Sequence, residues 1–160
     1  MQALIIDRQA DRLDQSQIAL MNAGIQVTGT GSLLVAETCI QRLGVDLLVI
    51  EKSTIGDALG DTLGMAEEGN SHLVSILRTP DVAEDQDALS PHFPSLHCIV
   101  GQEVSNEVAI KLGLASLRAQ ATRSAMPARA LRMKKPNLEA ARAAYAARVP
   151  QVDNIFAEAV

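Results

Sequence analysis

The stretch Val45-Asp46-Leu47-Leu48-Val49-Ile50-Glu51 decides the fold class. Successive side chains of a strand point to opposite faces, so a sheet with one wetted face shows alternating apolar and polar residues. Here residues 47–50 are apolar without a break, and the run ends on a carboxylate. Such a strand needs cover on both faces, the usual condition of a parallel sheet flanked by helices. Residues 45–50 are therefore predicted to form a strand inside such a sheet.

The chain on either side supplies the remaining pieces. Ala3-Leu4-Ile5-Ile6-Asp7, Ile25–Thr28, Leu73–Leu77 and Leu96–Val100 are short aliphatic runs and read as strands. Segments with helical spacing lie between them. Asp11–Ala23 carries Leu13, Ile18, Leu20 and Met21 and stops at Gly24. Leu33–Leu43 places Val35, Ala36, Cys39, Ile40 and Leu43 on one face and stops at Gly44. Asp57–Glu68 is read as a third helix despite Gly60 and Gly64. Thr79-Pro80-Asp81 reads as the N-cap, first position and acidic first turn of a fourth, ending near Leu89. A fifth runs from Ser105 to near Gln120, with Val108, Leu112 and Ala115 as its apolar residues. Five strands alternating with five helices predict an α/β fold with a doubly wound parallel sheet over residues 1–117.

Composition narrows the function. Phe93, Tyr145 and Phe156 are the whole aromatic set, so the core must be packed from Leu, Ile, Val, Met and Ala. No apolar run approaches the roughly 18 residues of a membrane span, and the N-terminus reads as a strand instead of a secretory leader. A cytoplasmic location is expected. Cys39 and Cys98 lie in apolar stretches without a neighbouring Cys or His partner and are read as buried thiols. Gly29-Thr30-Gly31 lacks the third glycine of a dinucleotide loop and the lysine of a phosphate loop, and is read as a turn. His72, His92 and His97 lack ligand spacing for zinc, and Ser53 and Ser75 have no identifiable base. Arg8-Gln9-Ala10-Asp11 is no flavin phosphate loop. No cofactor, no metal and no enzymatic activity are expected.

In a doubly wound sheet the functional crevice lies at the carboxyl ends of the strands. Those ends present Asp7-Arg8, Glu51-Lys52-Ser53, Arg78-Thr79 and Gly101-Gln102. With Ala3–Arg8, Val45–Glu51 and Leu73–Thr79 in this layout, the chain resembles the receiver domain of bacterial response regulators over residues 2–120. The resemblance implies a flavodoxin-like, receiver-type fold and a place in two-component or phosphorelay signalling. In that family an acidic pair after the first strand binds magnesium, and an aspartate ending the third accepts a phosphoryl group. A Ser or Thr after the fourth strand and a Lys after the fifth contact the phosphate.

Carried over residue by residue, Asp7 fills the first acidic position and Arg8 replaces the second. Glu51 stands at the acceptor position and Gly101 at the lysine, with Ile99 where a switch aromatic is expected. Thr79 takes the hydroxyl position, or Arg78 does under a one-residue slip. Arg8 brings a fixed positive charge to the metal position, and Gly101 removes a cation. The extra methylene of Glu51 shifts the carboxylate by about one bond length, and a misplacement of about 1 Å can cost on the order of a hundredfold in rate. The expectation is a degenerate phosphorylation site of Asp7, Arg8, Glu51, Thr79 and Gly101. In it Arg8 pairs with Glu51 or Asp7 in place of the metal and lysine. Three other readings stay open: a Glu51 that holds an active-like state with Thr79, an altered site that still takes phosphate, and a small-ligand sensor in the same crevice.

Charge divides the chain. Residues 1–117 carry six Lys/Arg against sixteen Asp/Glu, and residues 118–160 carry eight against three. The second segment is read as a basic, Ala-rich C-terminal arm, helical and extended by turns. Pro127 and Pro136 break residues 121–136 into a linker. Residues 137–149 are expected to be helical, with Leu138, Ala141, Tyr145 and Val149 in one stripe and Phe156 as a further anchor. Docking on a protein through Leu138, Tyr145, Val149 and Phe156 is favoured over nucleic-acid binding. The resemblance implies a histidine kinase, a phosphotransfer protein or another regulator as partner. It also implies a homodimer through the face of the fourth and fifth helices. The function read from the sequence is a non-catalytic protein-interaction module. Deleting residues 137–160, and separately Tyr145→Ala, is expected to weaken self-association or partner retention in size exclusion and affinity purification. Unchanged assembly in both, with residues 137–149 unprotected in hydrogen exchange, would make the arm a solvated appendage.

Overall fold

The structure, a computed structural model, describes residues 1–125, so the arm anchors Leu138, Tyr145, Val149 and Phe156 lie outside the described residues. The strands are β1 (Gln2–Ile6), β2 (Gln26–Thr30), β3 (Leu47–Glu51), β4 (Val74–Thr79) and β5 (Leu96–Gly101). The helices are α1 (Ala10–Asn22), α2 (Leu33–Arg42), α3 (Lys52–Ile55), α4 (Leu59–Gly69), α5 (Val82–Leu89) and α6 (Asn106–Ala125), with a short 3-10 turn at Gly56–Ala58. The sheet order is β2-β1-β3-β4-β5 and every pairing is parallel. All of β3 and all of β4 are buried, as the unbroken apolar runs require. No helix among the described residues is long and apolar enough to cross a membrane.

Alternation along the strands builds two separate cores. Leu4, Ile6, Leu48, Ile50 and Leu77 face α2 and α4 and pack with Ala36, Ile40, Leu59 and Leu63. Ala3, Ile5, Leu47, Val49 and Ile76 face the other way and pack with Leu20 of α1 and Ala109, Ile110 and Leu117 of α6. Cys39 joins the first layer and Cys98 the second, so the sheet lies between the two thiols.

Two glycines set the approach of the helices on the second face. At the end of α1, Gly24 has φ +76°, and its N–H donates to the Met21 carbonyl at 2.9 Å while Ile25 N–H reaches the Leu20 carbonyl at 3.1 Å. This is the doubly bonded left-handed helix terminus, accompanied by packing of Leu20 and Ile25 in one layer. In α6, a Cβ on Gly113 would lie 2.5 Å from Ile76 Cδ1 and 2.9 Å from Leu47 Cδ1, so the helix rests on the sheet through a bare backbone.

Several sequence expectations are corrected. The helix expected over 57–68 is α4, Leu59–Gly69, and it is preceded by the short helix α3 and a 3-10 turn that the sequence reading lacked, with Gly56 at φ +53° bending the chain between α3 and α4. Thr79 is not a helix N-cap: β4 continues through it in register with Gly101, and α5 begins only at Val82. Gly29 and Thr30 belong to β2, in register with Ile5 and Ile6, instead of a turn. The face of α6 that packs inward is Ala109, Ile110, Gly113 and Leu117, whereas Val108 and Leu112 are exposed. On α1, Ile18 and Met21 are exposed too. The helix α6 also runs past position 117 to Ala125, and the compact unit extends from Met1 to Arg123.

The glycines give a paired stability test. Gly113→Val should destabilise by about 1–3 kcal/mol through overpacking against Ile76 and Leu47. A Cβ on Gly64, inside α4, would meet nothing within 4 Å. Gly64→Ala should therefore stabilise by up to about 1 kcal/mol through helix propensity. Urea unfolding of the two variants beside the parent checks both signs.

Candidate functional site

Four strand ends bring their residues to one edge of the sheet. Asp7 follows β1, Glu51 ends β3, Arg78 and Thr79 end β4, and Gly101 ends β5. Strand parity then divides them. Asp7 lies two residues beyond Ile5, Glu51 two beyond Val49, and Arg78 two beyond Ile76, so all three share the face covered by α1 and α6. Glu51 and Arg78 are direct register partners across β3 and β4. Thr79 points the opposite way, with Leu77.

On the α1 side the carboxylates are closed by two guanidinium groups. Arg12, in the first turn of α1, donates from Nε to Asp7 Oδ2 at 2.9 Å and from NH2 to Asp7 Oδ1 at 3.0 Å, a bidentate pair. Gln9 N–H adds a bond to Asp7 Oδ1 at 2.8 Å. The hydrogen bond to Asp7, opposed by partial burial and aided by the nearby charges of Asp7 and Glu51, raises the Arg12 pKa above its ordinary value. The same guanidinium lies 3.5 Å from Glu51 Oε2, bridging both acids. Arg78 approaches Glu51 Oε2 from β4 at 3.6 Å. It also donates to the Gln102 carbonyl at 3.0 Å and bonds Asn106 Oδ1. Glu51 Oε1 accepts from Ser53 Oγ at 3.2 Å and Gln102 Nε2 at 3.3 Å. Asn106 Nδ2 in turn reaches the Arg12 carbonyl, joining α6 to α1.

Glu51 is only 1% exposed and Arg78 4%. The cavity that both of them line is about 10 Å³. Two acids and two guanidinium groups thus form a neutral cluster that fills the crevice. Breaking one partner of a buried pair leaves the other uncompensated, which is why such clusters resist single substitutions more than double ones.

The arrangement corrects the sequence reading of this edge. Arg8 is exposed, its backbone N–H bonds Thr54 Oγ1, and it forms no ion pair among the described residues. Arg12 and Arg78 occupy the role expected of it. Thr79 does not face Glu51: its hydroxyl donates to Asp85 Oδ2, and Lys52 Nζ reaches Asp85 Oδ1 at 2.6 Å. That hydrogen bond to Asp85 raises the Lys52 pKa. This second polar cluster ties α5 to α3 and β4 on the other side of the sheet. Gly101 is buried with the Glu103 carboxylate lying over it, so a negative group stands where a cation was considered. Asp7 and Glu51 are the two expected residues that the fold brings into one cluster, through Arg12. Arg78 was named from the sequence only as the alternative to Thr79, and Arg12, five positions after Asp7 near the start of α1, was missed.

Three substitutions separate the arginines. Arg78→Met should cost about 3–5 kcal/mol by stranding buried Glu51. Arg8→Met should stay within about 0.5 kcal/mol, as exposed substitutions do. Combining Arg78→Met with Glu51→Leu should recover most of the loss of the single variant. Denaturant melts of the four proteins measure this directly, and a large cost at Arg8 with none at Arg78 would contradict the geometry.

No family model and no curated protein matches this chain. Solved structures do. A CheY-like response regulator receiver domain from Methanospirillum hungatei superposes with TM-score 0.66 at 15% identity, covering 76% of this chain and 97% of that one. An orphan response regulator of H. pylori gives TM-score 0.61 at 19% identity over 74% of this chain and 97% of the other. A response regulator receiver protein from Sinorhizobium medicae gives 0.60 at 19% identity over 75% and 96%. Identities this low carry the fold and not the chemistry. The chain has the five-stranded parallel architecture of response-regulator receiver domains, built around a crevice closed by its own arginines.

Proposed function

We propose that this chain is a non-catalytic receiver-like interaction module in bacterial two-component-type signalling, used without phosphorylation of Glu51. The observation that carries this reading is the closed charge cluster. Glu51 is enclosed by Arg12, Arg78, Ser53 and Gln102, with a cavity of about 10 Å³ beside it. Phosphoryl transfer needs an acceptor oxygen in line with the donor and cations around the transferred group. Here the acidic edge is already neutralised from within, and the position of Gly101 offers a carboxylate from Glu103 instead of a cation.

The partner surface that fits this reading is the outer side of α6. Val108 and Leu112, four residues apart on that helix, are 47% and 42% exposed, and Ala115 continues the stripe. Surface apolar residues at helical spacing suit a helix-on-helix contact with another regulator or a second copy. The Asp85 cluster holds α5 to the sheet by Thr79 and Lys52, which favours a face presented in one fixed state.

Incubation with magnesium and acetyl phosphate followed by intact mass is expected to show no stable phosphoryl adduct. Val108→Asp with Leu112→Asp is expected to reduce dimer or partner capture while leaving the melting curve within a few degrees of the parent. An adduct that disappears in Glu51→Gln would overturn the proposal in favour of an altered but working acceptor.

A further inference from the structure

The closed crevice leaves two polar atoms unexplained. Glu51 Oε2 and Arg78 Nε are enclosed and have no hydrogen-bond partner among the described residues. They lie 3.6 Å apart, too far for a direct bond, although their residues are register partners whose side chains run together. The second guanidinium does not relieve Glu51, because Arg12 NH2 stands 3.5 Å from the same oxygen. Buried donors and acceptors are nearly always paired, with protein or with ordered water.

Beside these groups lies a cavity of about 10 Å³, lined by the polar residues Asp7, Ser16, Glu51, Arg78 and Asn106 and by apolar residues that include Ile5, Val49 and Ile110. The volume is that of about one water-sized sphere, near the lower limit for a buried water, which needs about two to four polar partners. Charge selects the occupant further. A metal cation would meet the Nε–H of Arg78, and an anion would meet the Glu51 carboxylate. Water alone can accept from the first and donate to the second. Ser16, buried on the inner face of α1, lines the same cavity and offers its hydroxyl as a third partner.

We propose that this cavity is a binding site for one ordered water, accepting from Arg78 Nε and donating to Glu51 Oε2, with the Ser16 hydroxyl as third partner. The water completes a network that runs from Asp7 through Arg12, Glu51 and Arg78 to Asn106. It couples α1, through Ser16, to the central pair of strands.

A high-resolution crystal structure of the intact chain should show one peak at about 2.7–3.2 Å from both Arg78 Nε and Glu51 Oε2. Water-oxygen magnetic relaxation dispersion should detect a slowly exchanging molecule in the parent. Its contribution should be lost in Ser16→Val, which places methyl groups in the cavity. It should also be lost in Glu51→Met combined with Arg78→Met, which removes both orphaned atoms. A map with Glu51 and Arg78 bonded directly, or with the cavity dry, would overturn the proposal. So would a relaxation signal unchanged in whichever of the two variants folds.

Discussion

A single arginine at the end of a fully buried strand constrains this molecule. Arg78 has β3 on one side and β5 on the other, and an unpaired guanidinium there would carry a desolvation penalty of several kcal/mol. It must therefore be neutralised where it stands. Register supplies Glu51 directly across, and Glu51 in turn recruits Arg12 from α1 and Gln102 from the loop after β5. Once that pairing exists, Asp7 and Asn106 are drawn into the same network. The carboxyl edge of the sheet becomes a set of mutually neutralised charges instead of an open basin.

The same constraint shapes what the edge can do. A site that holds metal and phosphate presents acids to solvent and receives cations from outside. This one keeps its cations on the chain, one on α1 and one on β4. Ligand-driven movement would first have to displace a bidentate Arg12–Asp7 pair, a charge-assisted contact of the stronger kind. The second cluster, Thr79 and Lys52 on Asp85, binds α5 on the opposite face without touching the first. Both polar clusters at the carboxyl edge of the sheet are thus held by groups of the chain itself.

Much of this was legible in the sequence, because strand burial follows from unbroken apolar runs and needs no knowledge of neighbours. The runs at 3–7, 45–50, 73–77 and 96–100 located the strands to within a few residues and placed Asp7 and Glu51 at the same edge. The reading failed where two weak local signals competed with a long-range one. Thr79-Pro80-Asp81 carries the residues of a helix start, yet ladder pairing with β5 keeps Thr79 in the strand. Val108, Leu112 and Ala115 have helical spacing, but small residues at Ala109 and Gly113 let α6 approach the sheet more closely on another side.

The sequence by itself determined the alternation of strands and helices, the parallel sheet, and the place of each strand to within a few residues. It could not determine which charge neutralises which. Arg8 adjoins Asp7 in the chain but is turned to solvent, while Arg12 and Arg78 reach the acids from a helix turn and a neighbouring strand. Strand parity would have set Arg78 beside Glu51 and Thr79 away from it, but only given the register of β3 against β4. Register is a property of two segments separated by a helix, fixed by how their apolar faces interlock, and no local pattern encodes it. The tertiary structure alone therefore decided that the crevice is filled by this chain's own arginines.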